Sequence, residues 1–214
     1  MKFTLVALSP LAATAQAADP VNVLVCVEAY CPGCESFTVK DLYPTYQKDG
    51  MAAIMNITVV PYGNAKITGS TVDTMTCQHG PDECSGNSFE QCAIHLYPDT
   101  ADHLPFLACF ADTNSGSGDP AAVVETCAGT ASLDFGKIKA CHDDADLSWT
   151  LQQAAAAATP DDHTYTPWVV INGETFESSF RNTFIKAVCN AYTGDKPAAC
   201  ASRLEGEDVK CMKD

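Results

Sequence analysis

Basic residues are scarce in this chain: 12 Lys and Arg stand against 27 Asp and Glu, a formal net charge of −15 at pH 7. So acidic a chain has no broad electrostatic grip on nucleic acid or on anionic membranes, and both are excluded as partners. Long apolar runs are missing too, and no window is long and apolar enough to span a bilayer. There is no internal repeat. A single C-x-x-C occurs, with no second one and no paired histidines nearby, so a zinc site lacks its usual ligands; no metal or organic cofactor is expected. Bulk disorder is excluded by an apolar content of 46%. At 214 residues the chain buries a real core, so cysteine is not needed to compensate for small size. Against these absences stand twelve cysteines, which mean metal or redox chemistry in a reducing cytosol and disulfides in a secretory compartment.

The N-terminus decides between the two. Residues 1–18 read MKFTLVALSPLAATAQAA, with Lys2 as a short positive start, an apolar stretch from Phe3 to Leu8, and a small-x-small step at Ala15-Gln16-Ala17. The pattern predicts a secretory signal peptide over 1–18, cut near Ala17 or Ala18. Pro10 and Thr14 interrupt it too early for a membrane anchor. The chain is therefore expected in an oxidising pathway, with most cysteines paired.

The β-branched run 21–27 (VNVLVCV) predicts a buried strand, and Cys31-Pro32-Gly33-Cys34 follows at once. Phe37, Val39, Leu42, Tyr43 and Tyr46 recur at helical spacing and predict a helix over about 32–47, despite Pro44. Residues 54–60 (IMNITVV) predict a second strand, closed by Pro61-Tyr62-Gly63-Asn64. Strand, helix and strand make a βαβ unit with a parallel pair. Residues 65–160 do not read as sheet. Helical patches fall near 88–97, 102–110, 120–128 and 134–142, with a Gly/Ser-rich break at 113–119, and 145–158 (ADLSWTLQQAAAAA) is the strongest helix, stopped at Thr159-Pro160. Residues 168–172 (WVVIN) predict a third strand, turned at Asn172-Gly173 into a return strand over 174–177. Residues 179–192 put Phe180, Phe184, Ile185 and Val188 on one helix face, and 195–214 form a polar tail. The order resembles an α/β, thioredoxin-like fold carrying a disulfide-rich, mainly helical insertion. Its first part is 19–64, the insertion 65–160 and its second part 161–194.

A C-x-x-C that ends a strand and opens a helix has a physical reason to be reactive. Free N–H groups and the positive helix end stabilise a thiolate at Cys31, with Cys34 as the resolving sulfur one turn on. A structural disulfide is the bland alternative. Thr166-Pro167 precedes the WVVIN strand, where the thioredoxin fold has a cis proline facing the C-x-x-C; it would leave a backbone edge free for a substrate strand. The alternative is an ordinary trans proline. A second cluster runs Cys77-Gln78-His79-Gly80-Pro81-Asp82-Glu83-Cys84, then Asn87 and Cys92. Its spacing has no metal pattern, and His79 either tunes a nearby thiol or caps a turn, the spacing favouring the cap. Asn56-Ile57-Thr58 is the one N-glycosylation sequon and requires Asn56 to face outward.

Among the other cysteines, Cys189 and Cys200 are expected to pair, because Gly194 and Pro197 can turn the chain back over eleven residues. Cys77, Cys84 and Cys92 crowd one segment, so at least one pairs outside it or stays free, with Cys109, Cys127 and Cys141 available. Cys26, inside the first strand, is expected as a buried free thiol or, failing that, bridged to Cys211.

Taken together, the C-x-x-C after the first strand, V-P-Y-G-N at Val60 to Asn64, C-Q-H-G-x-x-E-C-x-x-N-x-x-x-x-C from Cys77 to Cys92, and P-W-V-V-I-N-G from Pro167 to Gly173 resemble the gamma-interferon-inducible lysosomal thiol reductase family. The similarity runs from about Val21 to about Cys200, and the C-Q-H-G block is the family's specific signature. It implies a thioredoxin-like glycoprotein of the secretory route, in the lysosome or vacuole or outside the cell. There it would reduce disulfide-bonded protein substrates at acidic pH through Cys31 and Cys34, recharged by a small thiol or other external reductant. An unperturbed thiol near ~8.5 is almost wholly protonated at pH 5, so that activity requires a depressed Cys31 pKa. Cys26, Cys211 and the tail after Cys200 depart from the family pattern. Two other readings remain: the same chemistry run as an oxidase or isomerase, and a secreted disulfide-rich binding module with a purely structural Cys31–Cys34 bridge.

Overall fold

The computed structural model of the protein describes residues 18–71, 74–113, 119–177 and 183–201. Nearly all of the expected signal peptide, most of the Gly/Ser-rich break, Phe180 and Cys211 lie outside those residues. Four strands form the central sheet: β1 (Val21–Val27), β2 (Met55–Pro61), β5 (Trp168–Ile171) and β6 (Glu174–Phe176), in the order β2-β1-β5-β6. β1 runs parallel to β2 and antiparallel to β5, and β5 and β6 form a hairpin. The turn of that hairpin is Asn172-Gly173, both with positive φ (49° and 88°), the geometry a two-residue hairpin needs and Asn-Gly supplies. A small pair, β3 (Lys66–Ile67) with β4 (Met75–Thr76), corrects the expectation that 65–160 holds no sheet.

Alternation along β1 gives the sheet two faces. Val21, Val23, Val25 and Val27 face the larger core, with Ile57, Val59, Val169 and Ile171 from the neighbouring strands. Leu24 and Cys26 face the other way, toward Trp168, Val60, Tyr62 and Ala155. Each fully buried valine contributes roughly 1.5–3 kcal/mol to that packing.

The helical segment after β1 is α1 (Pro32–Phe37), a π turn (Thr38–Leu42) and α2 (Tyr43–Tyr46). The single helix expected over 32–47 is thus widened in its middle. Pro44 has no N–H to give the preceding turn and its ring crowds that turn. Five further helices follow: α3 (Pro81–Leu96), α4 (Thr100–Thr113), α5 (Pro120–Thr130), α6 (Phe135–Asp143) and α7 (Ala145–Ala158). Asp144 caps α7 by accepting from the N–H groups of Asp146 and Leu147. The closing helix is described as α8 (Thr183–Ala191). The larger core is continuous from the sheet into these helices: Phe37 and Phe184 meet edge-on, and Phe89, Leu104, Phe106 and Ile138 belong to the same cluster.

Among the described residues four disulfides tie the elements. Cys92–Cys141 joins α3 to α6, Cys109–Cys127 joins α4 to α5, and Cys189–Cys200 pins the end of α8 to the chain after it. Cys77–Cys84 closes the loop that leads into α3. Cys26 is a buried free thiol, as are Cys31 and Cys34.

Candidate active site

The site is built where β1 ends. Cys31 is the N-cap of α1, Pro32 occupies the first helical turn, and the Cys31 sulfur accepts from the backbone N–H of Cys34 at 3.4 Å. Proline is suited to that turn because its missing N–H would have no partner there. Cys34 sits deeper, 2% exposed against 8% for Cys31, and its sulfur accepts from the Glu28 N–H at 3.4 Å. Thr166-Pro167 is a cis peptide beside the pair. The Thr166 hydroxyl is 3.5 Å from the Cys31 sulfur, and the Thr166 carbonyl oxygen is 3.9 Å from it. A Cβ on Gly33 would touch Pro167, the Thr166 oxygen and the Cys31 sulfur at 3.5–3.7 Å, so Gly33 keeps the side between them open.

Electrostatics separates the two sulfurs. A hydrogen bond from the Cys34 thiol, helped by Thr166 and by the N–H groups of Cys34 and Gly33, overcomes burial and lowers the Cys31 pKa to about 5. Burial pushes Cys34 strongly upward, and its donation to Cys31 and the charge there add to the effect. Cys31 is therefore a thiolate and Cys34 a thiol over the neutral range. Burial pushes Cys26 up to about 11, which leaves it inert.

Behind Cys31 lies a group of acids. Glu28 is 2% exposed; its Oε1 accepts from the Asn64 N–H at 2.7 Å and its Oε2 from the Thr166 hydroxyl at 3.2 Å. That hydroxyl has one proton, so it serves Glu28 or Cys31 but not both at once. Gly63 makes the Asn64 bond possible: its φ is +54°, and a Cβ there would lie 2.3 Å from Glu28 Cγ. Burial raises the pKa of Glu28, and the Asn64 bond resists that rise. Burial, then the Cys31 charge, raises Glu35. Glu90 is pushed up to about 8 by burial and then by Glu35 and Glu83, and its Oε2 finds no partner among the described residues.

The Cys77–Cys84 loop reaches this group. His79 Nδ1 lies 2.5 Å from Glu83 Oε2 and 3.7 Å from Glu28 Oε2. The expectation that His79 caps a turn is corrected. The turn is closed by the Gly80 N–H on the Cys77 carbonyl and by the disulfide, and Glu83 accepts from the His79 N–H, so the ring is left to face carboxylates. Desolvation pulls the His79 pKa down, but the Glu83 bond and the charges of Glu83, Glu28 and Cys31 outweigh it and push it up. Gln78 accepts from the Asn64 side chain at 2.8 Å, and Asn87 accepts from the Ala29 N–H at 2.8 Å. Glu28, His79 and Glu83 bring possible ligand atoms within 4.8 Å of one another, the one such trio among the described residues. His79 Nδ1 already has Glu83 as its hydrogen-bond partner, so the trio is a hydrogen-bonded set.

Cys31, Cys34, Thr166, Pro167, Gln78, His79, Gly80, Glu83, Cys84, Cys77 and Asn87 thus converge, while Cys92 ties α3 to α6 through Cys141. Asn56 is exposed on the edge strand β2, paired with Asn22 at the opposite end of β1. Glu28 and Glu90 had no assigned role in the sequence, and Gly63 and Asn64 were read only as the close of a strand and part of a motif. Glu28 carried one signal, an isolated acid between a buried strand and the C-x-x-C. Among the described residues no helix is long and apolar enough to cross a bilayer.

A model of the family described as gamma interferon inducible lysosomal thiol reductase (GILT) matches residues 22–131. The gamma-interferon-inducible lysosomal thiol reductase of Carassius auratus is 35% identical over 196 residues, covering 88% of this chain and 75% of its own. The gamma-interferon-responsive lysosomal thiol protein of Arabidopsis thaliana is 33% identical over 184 residues, covering 82% and 73%. Among solved structures, the reduced disulfide bond oxidoreductase DsbG of Mycobacterium tuberculosis superposes with a TM-score of 0.61 at 17% identity, covering 85% of this chain and 84% of its own. Reduced DsbA of the same organism gives 0.61 at 18%, covering 91% and 93%. At those identities the structural likeness shows the fold, a thioredoxin/DsbA-like one.

Proposed function

The chain belongs to the gamma-interferon inducible lysosomal thiol reductase family, and on that premise we propose that this thiol–disulfide oxidoreductase runs as a reductase of protein disulfides in an acidic, lysosome-like compartment of the secretory route. The observation that carries the reading is the Cys31 sulfur at the N-cap of α1, held as a thiolate beside the cis Thr166-Pro167 step. The Cys31 thiolate attacks a substrate disulfide, one substrate sulfur leaves, and a mixed disulfide forms. Once the Cys31 sulfur is in that bond it carries no charge and accepts no proton from Cys34. Two of the causes that raise Cys34 then vanish, and its thiolate can displace the substrate. An external thiol returns Cys31–Cys34 to the dithiol state. No step uses a metal or an organic cofactor.

The same thiolate supports an acid setting for that direction. A Cys31 pKa of about 5 stabilises the reduced pair relative to an ordinary protonated thiol, roughly a hundredfold at pH 7 but only about twofold at pH 5. The pair is therefore about fiftyfold, or ~50 mV, more reducing toward such a thiol couple at pH 5 than at pH 7. Half of Cys31 is still thiolate there, so nucleophile is kept. The buried carboxyls Glu28 and Glu90 and the half-buried Glu35, all raised, also suit an acid setting. Insulin-disulfide reduction at pH 5 and pH 7 tests the reading. Wild type should turn over at pH 5 and Cys31→Ser should not; turnover by Cys31→Ser, or none by wild type at either pH, would sink it.

A further inference from the structure

Three short gaps lead from Cys31 to the surface. The sulfur is 3.5 Å from Thr166 Oγ1, which is 3.2 Å from Glu28 Oε2, which is 3.7 Å from His79 Nδ1. His79 is the outermost group, its side chain 32% exposed, and it is fixed twice by Glu83, at its ring and at its backbone N–H. The loop that carries it is closed by Cys77–Cys84 and anchored to Asn64 through Gln78. The titratable groups that act on His79 are Glu28 from the end of β1, Cys31 and Glu35 from α1, and Glu83 from α3. Among the described residues no Lys or Arg forms an ion pair with any of these. Among the described residues His79 is thus the basic side chain paired with the acids of this anionic redox centre.

We propose that the signature loop is a proton-coupled arm of that centre: His79, acting through Glu28 and Thr166, holds its proton more tightly when the Cys31–Cys34 disulfide is reduced and less tightly when the disulfide reforms. The inference rests on the reading of Cys31 and Cys34 as the redox pair. The balance closes as follows. Two molecules of a thiol reductant lose two electrons and two protons to become one disulfide. The Cys31–Cys34 bond breaks, one proton goes to Cys34, and Cys31 stays a thiolate. The second proton, which Cys31 does not keep, goes to solvent, and near its own pKa His79 holds a larger share of it in the reduced protein than in the oxidised one.

Two physical links couple the events. The new negative charge on Cys31 favours the imidazolium, the direction in which that charge already acts on His79. The Thr166 hydroxyl supplies the other link, since it has one proton and two acceptors. A cationic His79 beside Glu28 Oε2 weakens the claim of that oxygen on the hydroxyl and leaves the proton for the Cys31 thiolate. With a disulfide at Cys31 there is no anion to serve, and the hydroxyl stays with Glu28. His79 is a positioning residue in this scheme: it never touches the reacting sulfurs.

An NMR titration of the imidazole protons tests the coupling on the full chain, oxidised and then reduced with dithiothreitol. The chain has five histidines, and the signal lost in His79→Gln assigns the right one. Reduction should raise the His79 pKa by roughly half a unit, the size expected for a partly screened charge several ångströms away. Reduced Cys31→Ser, which has no thiolate, should instead follow the oxidised wild-type curve. Superimposed curves for the oxidised and reduced protein overturn the proposal, as does a shift that survives in Cys31→Ser. Failure of the redox reading looks different: a peptide map of the oxidised protein would then show no Cys31–Cys34 bond, and the proposal would fall with it.

Discussion

Replacing Cys34 by Ala and by Ser separates two roles of one sulfur. Both variants remove the resolving thiol, but only Ala removes the donor that is the largest cause of the low Cys31 pKa. A hydrogen bond to a charged partner contributes ~1.5–3 kcal/mol, and one pKa unit is 1.36 kcal/mol, so losing it raises Cys31 by about one to two units. Cys31 then titrates at roughly 6–7 rather than about 5, still below an ordinary thiol because the Cys34 and Gly33 N–H groups and Thr166 remain. At pH 5 the thiolate fraction falls from about one half to between one in ten and one in a hundred. Iodoacetamide alkylation of Cys34→Ala at pH 5 should therefore be ~5–50 times slower than that of Cys34→Ser, whose hydroxyl can still donate, and the two rates should converge by pH 8. Cys26 does not confuse the measurement, being buried with its thiol pushed up to about 11. Coincident pH profiles for the two variants would refute the claim that the Cys34 donor holds the thiolate.

With a protein disulfide as substrate, Cys34→Ser should accumulate a mixed disulfide at Cys31; trapping by Cys31→Ser instead would reverse the two roles. Burial pushes the Glu90 pKa up to about 8 from an ordinary 4.5, so its contribution to stability is whole below about pH 4.5 and is lost as pH rises toward 8. Glu90→Gln should consequently gain on wild type between pH 5 and pH 7, by an order of 2–3 kcal/mol at pH 7; a melting-temperature difference that stays constant with pH would count against it. In a glycosylating host, Asn56→Gln should abolish an endoglycosidase-sensitive mobility shift, and a shift that persists removes Asn56 as the glycan site. Removing Cys189–Cys200 by double Ala substitution should cost roughly 2–3 kcal/mol in chemical denaturation and spare Cys31 alkylation; an unchanged midpoint would show the bridge contributes nothing.

What was legible in the sequence was what one element states about itself. The β-branched run VNVLVCV, the hairpin pair Asn172-Gly173 and the helix-forming run ADLSWTLQQAAAAA stopped at Thr159-Pro160 are local signals, and local physics decided them. Cys189–Cys200 was legible for the same reason, with turn residues inside a short separation. Cys77, Cys84 and Cys92 were not, because the choice among them depends on which helix crosses α3, and α6 does so at Cys141. The β3–β4 pair has two residues a side, too few to show a period. His79 was misread because its partner Glu28 comes from another part of the chain, and spacing within a loop says nothing about what the fold lays against it.

The acids make the same point with a larger consequence. Read as composition, 27 acidic residues mean a solvated anionic surface and exclude anionic partners. The fold sets four of them apart: Glu28, Glu83 and Glu90 are buried and Glu35 half-buried around the end of β1 and the start of α1, the same place that holds the Cys31 thiolate. Concentrating like charge there costs stability at neutral pH, since three of these groups have raised pKa values and their ionisation is opposed by burial. The cost diminishes in acid, where the carboxyls take up protons while Cys31, titrating at about 5, keeps a reactive fraction. The acidity that excludes partners at the surface thus has an interior counterpart beside Cys31 that suits the acid setting of the proposed function, and among the described residues His79 is the basic side chain that pairs with it.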